Sequence, residues 1–243
     1  MFPSCKKALI VAAMFCAAIA MRGAEVTDPF AAEEPSISDL TNPVPSAAKL
    51  SPEAKMAAEA GIVAIGKNNF NAAETAFLKL LRLSPDNLSA LVNLGIVEVR
   101  LGRNEDAQGY LTRAIKLKPD AGLAWMMLGV VYNNQNNLEG ATAAFAQAVF
   151  LSPKNPQGHN YFAVTLSKRG WYSGAEDELQ KAIELSPNFA EAHYNLALVY
   201  FTRHPPAVEL ARRHYQRAIE LGETPDPDFA AKLAAAPEQT VAP

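Results

Sequence analysis

The chain has 243 residues, with 22 lysines and arginines against 25 aspartates and glutamates, and 49% of its residues are hydrophobic. This hydrophobic fraction excludes a disordered chain, and no apolar run approaches the roughly 20 residues of a membrane-spanning helix, which excludes a channel or transporter. A formal charge of -3 offers no basic surface to neutralise phosphates, so a dedicated nucleic-acid-binding protein is not expected.

The first residues of the chain are a predicted export signal. Two lysines at 6–7 precede an almost uninterrupted apolar stretch at 8–21, and small residues at 18–20 form the A-x-A arrangement of signal-peptidase sites. Residues 1–24 are therefore predicted as a secretory signal peptide, which indicates a protein of the bacterial periplasm or cell envelope. The alternative is an uncleaved anchor, but about 14 apolar residues in a helix span only about 21 Å of a hydrocarbon core roughly 30 Å thick.

Both cysteines of the chain, Cys5 and Cys16, lie inside this signal segment. Its removal would leave a mature protein without a thiol, which excludes cysteine nucleophiles and cysteine metal sites. A lipoprotein acylated at Cys16 is the alternative, and the bulky Phe15 directly before that cysteine argues against it.

Residues 25–50 are predicted as a Pro-rich flexible linker. Four prolines lie there among Ser, Thr, Asn, Asp and Glu, and neither a helical nor an alternating apolar period runs through the segment. The linker also carries four large apolar residues, Phe30, Ile37, Leu40 and Val44.

From Ser51 onward the sequence repeats with a regular period. Pro85, Pro119, Pro153 and Pro187 are each 34 residues apart, and a period of this size is typical of solenoid arrays. Because proline lacks an N–H and suits the first turn of a helix, each of these prolines is predicted to end one helix and to begin the next.

Small and large apolar residues recur at matching positions of these repeats. Small residues occupy the eighth and twentieth positions, such as Gly129 and Ala141, and large ones occupy the seventh and twenty-fourth, such as Leu128 and Phe145. This spacing predicts two amphipathic helices per repeat that approach each other closely at the small residues. The third repeat carries a complete set of marker residues: Trp125, Leu128, Gly129, Tyr132, Ala141, Phe145, Ala148 and Pro153.

With these residues the chain resembles the tetratricopeptide repeat family. The resemblance implies an all-α, right-handed α-solenoid of about five repeats, each a helix-turn-helix pair, with a short C-terminal capping helix. The repeat domain is predicted at 51–223, with its repeats at 54–87, 88–121, 122–155, 156–189 and 190–223. Residues 224–243 are predicted as a C-terminal cap and tail, with a short helix at 229–236.

Two segments resemble catalytic motifs, and neither has the required context. Residues 61–68 have the glycine and lysine spacing of a P-loop, but Asn68 replaces the final Ser or Thr, and Gly61 falls in the middle of a predicted helix. Residues 46–49 match S-x-x-K in the linker, without the companion motifs of the penicillin-interacting enzymes. Neither G-x-S-x-G nor H-E-x-x-H occurs, so we expect no catalytic residue, no cofactor and no metal site.

The histidines do not form a predicted metal site. His159 and His193 occupy the fourth position of successive repeats, where they are expected to stack beside each other and to fill packing space between repeats. A metal ion would need a third ligand, and Glu191 is the only carboxylate expected nearby, on another face. His204 and His214 are not expected to join any cluster.

The best candidate site is the concave face of the array. In an array of this kind the first helix of each repeat lines the concave face, with the second, fifth, ninth and twelfth positions exposed. These positions are largely apolar here and predict a groove for an apolar or amphipathic segment, supplied by a partner or by the linker. The predicted partner-binding residues are Val92, Ile96, Met126, Val130, Asn160, Val164, Tyr194, Leu198 and Phe201.

The function expected from these features is a noncatalytic scaffold or adaptor that serves the assembly of an envelope machine. Its expected partner is a protein or peptide rather than a nucleic acid or a small-molecule substrate, with peripheral association with membrane complexes. The alternative is an accessory or regulatory subunit of an envelope enzyme. A third hypothesis, a ligand-binding enzyme that uses the P-loop-like segment, has the least support.

Overall fold

The chain divides into two units, Met1–Lys49 and Leu50–Pro243. The computed structural model describes residues 50–236, all within the second unit. The predicted signal peptide, the predicted linker up to residue 49 and the tail at 237–243 lie outside the described residues.

Within residues 50–236 the secondary structure consists of eleven α-helices, and no strand occurs there. Each odd-numbered helix from α1 to α9 packs on the next even-numbered helix, and each even-numbered helix packs on the first helix of the next repeat. This stacking confirms the predicted all-α solenoid with two helices per repeat. The helices are α1 Pro52–Gly66, α2 Phe70–Leu83, α3 Leu88–Arg100, α4 Asn104–Leu117, α5 Gly122–Asn134, α6 Leu138–Leu151, α7 Pro156–Lys168, α8 Tyr172–Leu185, α9 Ala190–Thr202, α10 Val208–Glu220 and α11 Pro227–Ala235.

Short polar side chains begin several of these helices. The Ser51 hydroxyl accepts a hydrogen bond from the Ala54 N–H at 3.1 Å, and the Asn87 Oδ1 accepts one from the Ala90 N–H at 2.8 Å. These bonds satisfy backbone donors that have no partner inside the first helical turn. The helix bounds also correct one prediction: each of the four period-34 prolines lies between two helices, so none of them begins the next helix. These prolines are Pro85, Pro119, Pro153 and Pro187.

The two helices of a repeat approach most closely where the first helix carries glycine. A Cβ atom on Gly95 would lie 2.5 Å from the Leu111 side chain, and a Cβ atom on Gly129 would lie 2.7 Å from the Phe145 ring. Any larger residue at these sites would have to displace the second helix, which is the physical reason for the small eighth position.

Left-handed backbone conformations reverse the chain between paired helices. Gly102 and Gly170 have φ values of 75° and 77°, and Asn68 and Asn136 have φ values of 53° and 58°. Glycine and asparagine adopt this region at the lowest cost, which explains their recurrence in these turns.

A short final helix, α11, packs on the fifth repeat. The Asp226 Oδ1 accepts a hydrogen bond from the Phe229 N–H at 3.0 Å and begins this helix two residues earlier than predicted. Phe229 and Leu233, one helical turn apart, are its buried residues. Among residues 50–236, no helix is both long enough and apolar enough to cross a membrane.

Candidate binding groove

The candidate groove is built from the first helices of the repeats, of which α3, α5, α7 and α9 pack side by side. The second, fifth, ninth and twelfth positions of each first helix lie along one helical face, which we call the groove face. All nine predicted partner-binding residues belong to the groove face, and the helices bring them into successive rows.

The fifth position of the groove face is buried in four successive repeats. Val92, Met126, Asn160 and Tyr194 are between 1% and 6% exposed. The Asn160 Nδ2 donates to the Glu191 Oε1 at 3.1 Å, so this position contacts the following repeat. Contrary to the prediction, the fifth position contributes to packing rather than to open surface.

The ninth and twelfth positions keep part of the groove face open. Ile96, Val130, Leu198 and Phe201 are half-buried, whereas Val164 is buried. We call the four half-buried residues the apolar strip. The accessible apolar surface of the groove is therefore narrower than the sequence predicted, because the fifth positions are covered.

Polar side chains connect neighbouring repeats beside the apolar strip. The Asn133 Nδ2 donates to the Thr165 Oγ1 at 2.8 Å, and the Asn195 Nδ2 donates to the Asn160 Oδ1 at 2.9 Å. These bonds lie between the first helices of adjacent repeats, so they restrain the separation of the helices that form the groove face.

Aromatic residues close the C-terminal end of the groove face. The Phe229 ring of α11 makes edge contacts with Tyr194, Phe201 and Tyr215, with ring centroids 6.0, 5.5 and 5.2 Å away. The Tyr194 hydroxyl donates to the Asp226 Oδ2 at 2.8 Å. The chain's own last helix therefore covers part of the surface that the sequence predicted for a partner.

A ring nitrogen at the fourth position of three successive repeats binds the carbonyl of the preceding period-34 proline. The Trp125 Nε1 donates to the Pro119 oxygen at 2.8 Å. The Nε2 atoms of His159 and His193 lie 3.0 and 3.2 Å from the oxygens of Pro153 and Pro187. In both histidines Nε2 is therefore assigned the proton, since a carbonyl can only accept.

The second ring nitrogen of His159 binds a carboxylate that the sequence analysis missed. The His159 Nδ1 lies 2.6 Å from the Glu178 Oε2, and Lys181 binds the other oxygen of Glu178 at 3.0 Å. The hydrogen bond with Glu178 raises the pKa of His159, although burial opposes this shift. Burial pushes the pKa of Glu178 upward, but the hydrogen bonds from His159 and Lys181 outweigh it and lower the pKa. Both ring nitrogens of His159 thus face acceptor oxygens, an arrangement that favours an imidazolium paired with a carboxylate.

His193 meets a different partner at the same place in the fifth repeat. Its Nδ1 lies 3.0 Å from the Nδ1 of His214, and the two rings stack with centroids 5.2 Å apart. The prediction that His214 joins no cluster is wrong, since the ring that stacks on His193 is that of His214. The fourth position faces the second helix of its own repeat, where Glu178 and His214 occupy equivalent places.

A buried glutamate in the second repeat also escaped the sequence analysis. Glu98 is 2% exposed, and its Oε2 lies 3.3 Å from the Arg103 Nη1, which also donates to the Glu74 Oε1 at 2.9 Å. Burial and the nearby Glu74 charge raise the pKa of Glu98, and Arg103 opposes the shift. Its position in the repeat was the available signal in the sequence. Glu98 is the eleventh residue of the second repeat, where the third and fifth repeats carry Tyr132 and Tyr200.

The P-loop-like segment does not form a phosphate-binding loop. Gly61 lies inside α1, which continues to Gly66, and a Cβ atom on Gly61 would lie 2.6 Å from the Phe77 ring. A P-loop needs its glycines in a loop whose N–H groups point at the phosphates. Residues 46–49 lie outside the described part of the chain. Within residues 50–236, no group of three or more His, Cys, Asp or Glu side chains is arranged to hold a metal ion.

Solved structures with the same architecture include three proteins of low sequence identity. The first is MamA, from residue 41 onward, of Desulfovibrio magneticus RS-1, with a TM-score of 0.62 and 18% identity over 71% of this chain and 96% of that chain. YrrB, described as a TPR protein with an unusual peptide-binding site, has a TM-score of 0.59 and 21% identity over 77% of this chain and 92% of its own. Pseudomonas aeruginosa pilF has a TM-score of 0.65 and 16% identity over 74% of this chain and 88% of its own.

These identities establish a shared fold and nothing further about function. No curated protein matches the chain in sequence. Two family profiles do match: one described as tetratricopeptide repeat at residues 59–107 and 92–156, and one described as TPR repeat at residues 165–202. Together with the helix pairs, the small eighth positions and the 34-residue period, these matches show that the chain belongs to the tetratricopeptide repeat family.

Proposed function

We propose that this protein is a noncatalytic scaffold of the bacterial cell envelope whose groove face binds an apolar or amphipathic segment of a partner protein. Tetratricopeptide repeats are generally protein-interaction modules, and the fold supports a scaffold of this kind. To this the proposal adds the apolar or amphipathic character of the bound segment and the location in the envelope.

The observation that carries the proposal is the apolar strip. Ile96, Val130 and Leu198 occupy the ninth position of three repeats and remain half-buried, although the fifth positions beside them are buried. Partly exposed apolar side chains on the second, third and fifth repeats suit the apolar face of a helix or an extended segment. Phe201, at the end of the strip, already contacts the Phe229 ring of α11, so the three aliphatic side chains carry the proposal.

The test is capture of partners from envelope extracts by the mature chain, with a photo-crosslinking residue at Ile96. We expect the double variant Val130→Asp with Leu198→Asp to lose at least about tenfold in capture, because two charges would have to be desolvated in the interface. Met126 is unsuitable for this test, since a charge at its buried position would disturb the fold itself.

Phe150→Asp is the matched control, because Phe150 is the most exposed large apolar residue within 50–236 and lies on the second helix of the third repeat. It introduces one carboxylate, the same kind of group, away from the groove face. If the control lost capture and the double variant retained it, the binding surface would lie on the outer helices and the proposal would be wrong.

The envelope part of the proposal rests on residues 6–20 of the sequence. Intact mass of the protein from envelope fractions should correspond to a chain that begins between residues 21 and 25. A mass that retains Met1, or one that includes acyl chains on Cys16, would contradict cleavage by an ordinary signal peptidase.

The alternative remains an accessory subunit of an envelope enzyme. It would be favoured if the crosslinked partner were an enzyme whose turnover changed on addition of this chain. Under that outcome the groove face would still be the binding surface, and only the role of the complex would differ.

A further inference from the structure

The His193–His214 pair can hold one proton between its two facing Nδ1 atoms, but not two. His193 uses its Nε2 proton to bind the Pro187 oxygen, so its neutral ring leaves Nδ1 as an acceptor. His214 must then donate from its own Nδ1 across the 3.0 Å separation. If both rings become imidazolium, two N–H groups point at each other and the hydrogen bond is replaced by repulsion.

The surroundings of the pair offer no compensation for added positive charge. Arg217, one helical turn beyond His214 on α10, acts on His193 as a second cation. The Tyr200 ring of α9 lies against His214, with centroids 5.6 Å apart, and its hydroxyl is 3.4 Å from the Gln180 Nε2 of α8. In the described part of the chain, no carboxylate acts on either imidazole.

Burial lowers the pKa of both histidines, and for His214 the pKa falls to about 4 because the His193 charge adds to the effect. A group with a depressed histidine pKa favours the folded state only while it is neutral. The stability that it contributes at neutral pH is therefore lost as the pH falls from the ordinary histidine value of 6.5 towards 4.

The residues beside the pair are the ones that hold α11. Tyr194 follows His193 and donates to the Asp226 carboxylate, and Tyr215 follows His214 and donates to the Asp226 carbonyl at 3.0 Å. Arg212 of α10 donates to the carbonyls of Leu233 and Ala236 at 2.8 and 2.9 Å. Separation of α9 from α10 would break the contacts that α11 makes with both helices at once.

We propose that the His193–His214 pair is a pH-sensitive switch: when both imidazoles are protonated, α9 and α10 separate and α11 leaves the aromatic end of the groove face. The release of α11 at low pH does not depend on the proposed function, whereas binding of a partner at the uncovered end of the groove face rests on that function. Hydrogen exchange measures the release alone, so the switch and the proposed function can fail separately.

Hydrogen exchange with mass spectrometry on the full chain, at pH 7 and at pH 4.5, tests the switch. After correction for the intrinsic effect of pH, amides of α10 and α11 should exchange at least about tenfold faster at pH 4.5, the factor that one pKa unit represents. Amides of α7 and α8 should change less, because the Glu178 carboxylate with its lowered pKa still faces His159. Unchanged protection of α10 and α11 at pH 4.5 would overturn the proposal.

His214→Glu is the sharpest variant, since it recreates the His159–Glu178 pair at the equivalent place in the fifth repeat. We expect it to abolish the acid-induced exchange of α11. His214→Gln, which cannot be protonated, should do the same and serves if the glutamate variant is poorly folded at pH 7. If both variants still release α11 at pH 4.5, the acid sensitivity belongs to another group and the switch is wrong.

Discussion

The repeat array ends differently at α1 and at α11. Within residues 50–236 no repeat precedes α1, and Met56 and Val63, at its third and tenth positions, are 69% and 55% exposed. The same positions of the second repeat, Ala90 and Val97, are buried against the first repeat. The first helix of the array therefore exposes an interface that later repeats bury.

At the other end α11 takes the place of a sixth repeat. It buries Phe229 and Leu233 against the fifth repeat, and Arg212 binds the carbonyls at its C-terminus. The comparison indicates that a terminal face of the array needs a covering helix when its side chains are large. The exposed face of α1 carries Met56, Ala60 and Val63, whereas α11 covers Tyr194, Phe201 and Tyr215 of the fifth repeat. Uncovering the aromatic end would expose far more apolar area.

The largest expected effect is at the covered end. Phe229→Ala removes three aromatic edge contacts from a buried site and should reduce the free energy of unfolding by about 3–5 kcal/mol, measured by urea denaturation. Met56→Ala at the uncovered end is the control and should change it by less than about 0.5 kcal/mol. Equal effects of the two variants would show that the ends do not differ in the way described.

A second test compares glycines with similar local geometry. A Cβ atom would lie 2.6 Å from Phe77 at Gly61 and 2.7 Å from Phe145 at Gly129. Gly129→Ala should cost about 1–3 kcal/mol, because α5 is packed between repeats and cannot move away. Gly61→Ala should cost less, since α1 has a free face. A larger cost at Gly61 would contradict this reasoning.

The N-caps at the two ends allow a smaller comparison. Asp226→Ala should cost about 1 kcal/mol or somewhat more, because the carboxylate caps α11 and also accepts from the Tyr194 hydroxyl. Ser51→Ala removes a single cap bond on α1 and should cost about 0.5–1 kcal/mol. Thermal unfolding of both variants would measure the difference, and a cost at Ser51 that exceeded the cost at Asp226 would be evidence against it.

The smallest effect is expected on the exposed face of α1. Val63→Ser should change the free energy of unfolding by less than about 0.5 kcal/mol, since the side chain is largely in water already. Val97→Ser changes the equivalent, buried position of the second repeat and should destabilise the protein clearly, because a hydroxyl would be buried there. If both were silent, the assignment of equivalent positions would be in error.

The sequence was sufficient to predict the architecture because the period is exact over four prolines and each repeat position has a constant packing role. The small eighth position, the paired helices and the final helix followed from that regularity. Burial of the fifth position did not follow, because it depends on how far each first helix is rotated towards its neighbour, which a period alone does not determine.

Contacts within one repeat were the least predictable. Glu178 lies 19 residues after His159, and His214 lies 21 residues after His193. The loop between the two helices of a repeat is longer in the fifth repeat than in the fourth, which accounts for the difference. Two extra residues in the fifth turn moved His214 out of its expected place in the alignment. When residues are counted from the start of the second helix, Glu178 is the seventh residue of α8 and His214 is the seventh residue of α10, so the two positions are equivalent.

The ring nitrogens that bind proline carbonyls affect how the array yields to force. In the third, fourth and fifth repeats, a donor on the first helix binds the link to the preceding repeat, as Trp125 binds Pro119. The first two repeats have Ala57 and Leu91 at this position, and neither side chain can donate. At the link between the first and second repeats the Pro85 oxygen accepts instead from the guanidinium of Arg113, on the second helix of the following repeat. An arginine side chain loses more rotamer freedom when it is held than an indole or imidazole ring does, so we expect this link to yield to tension before the later ones.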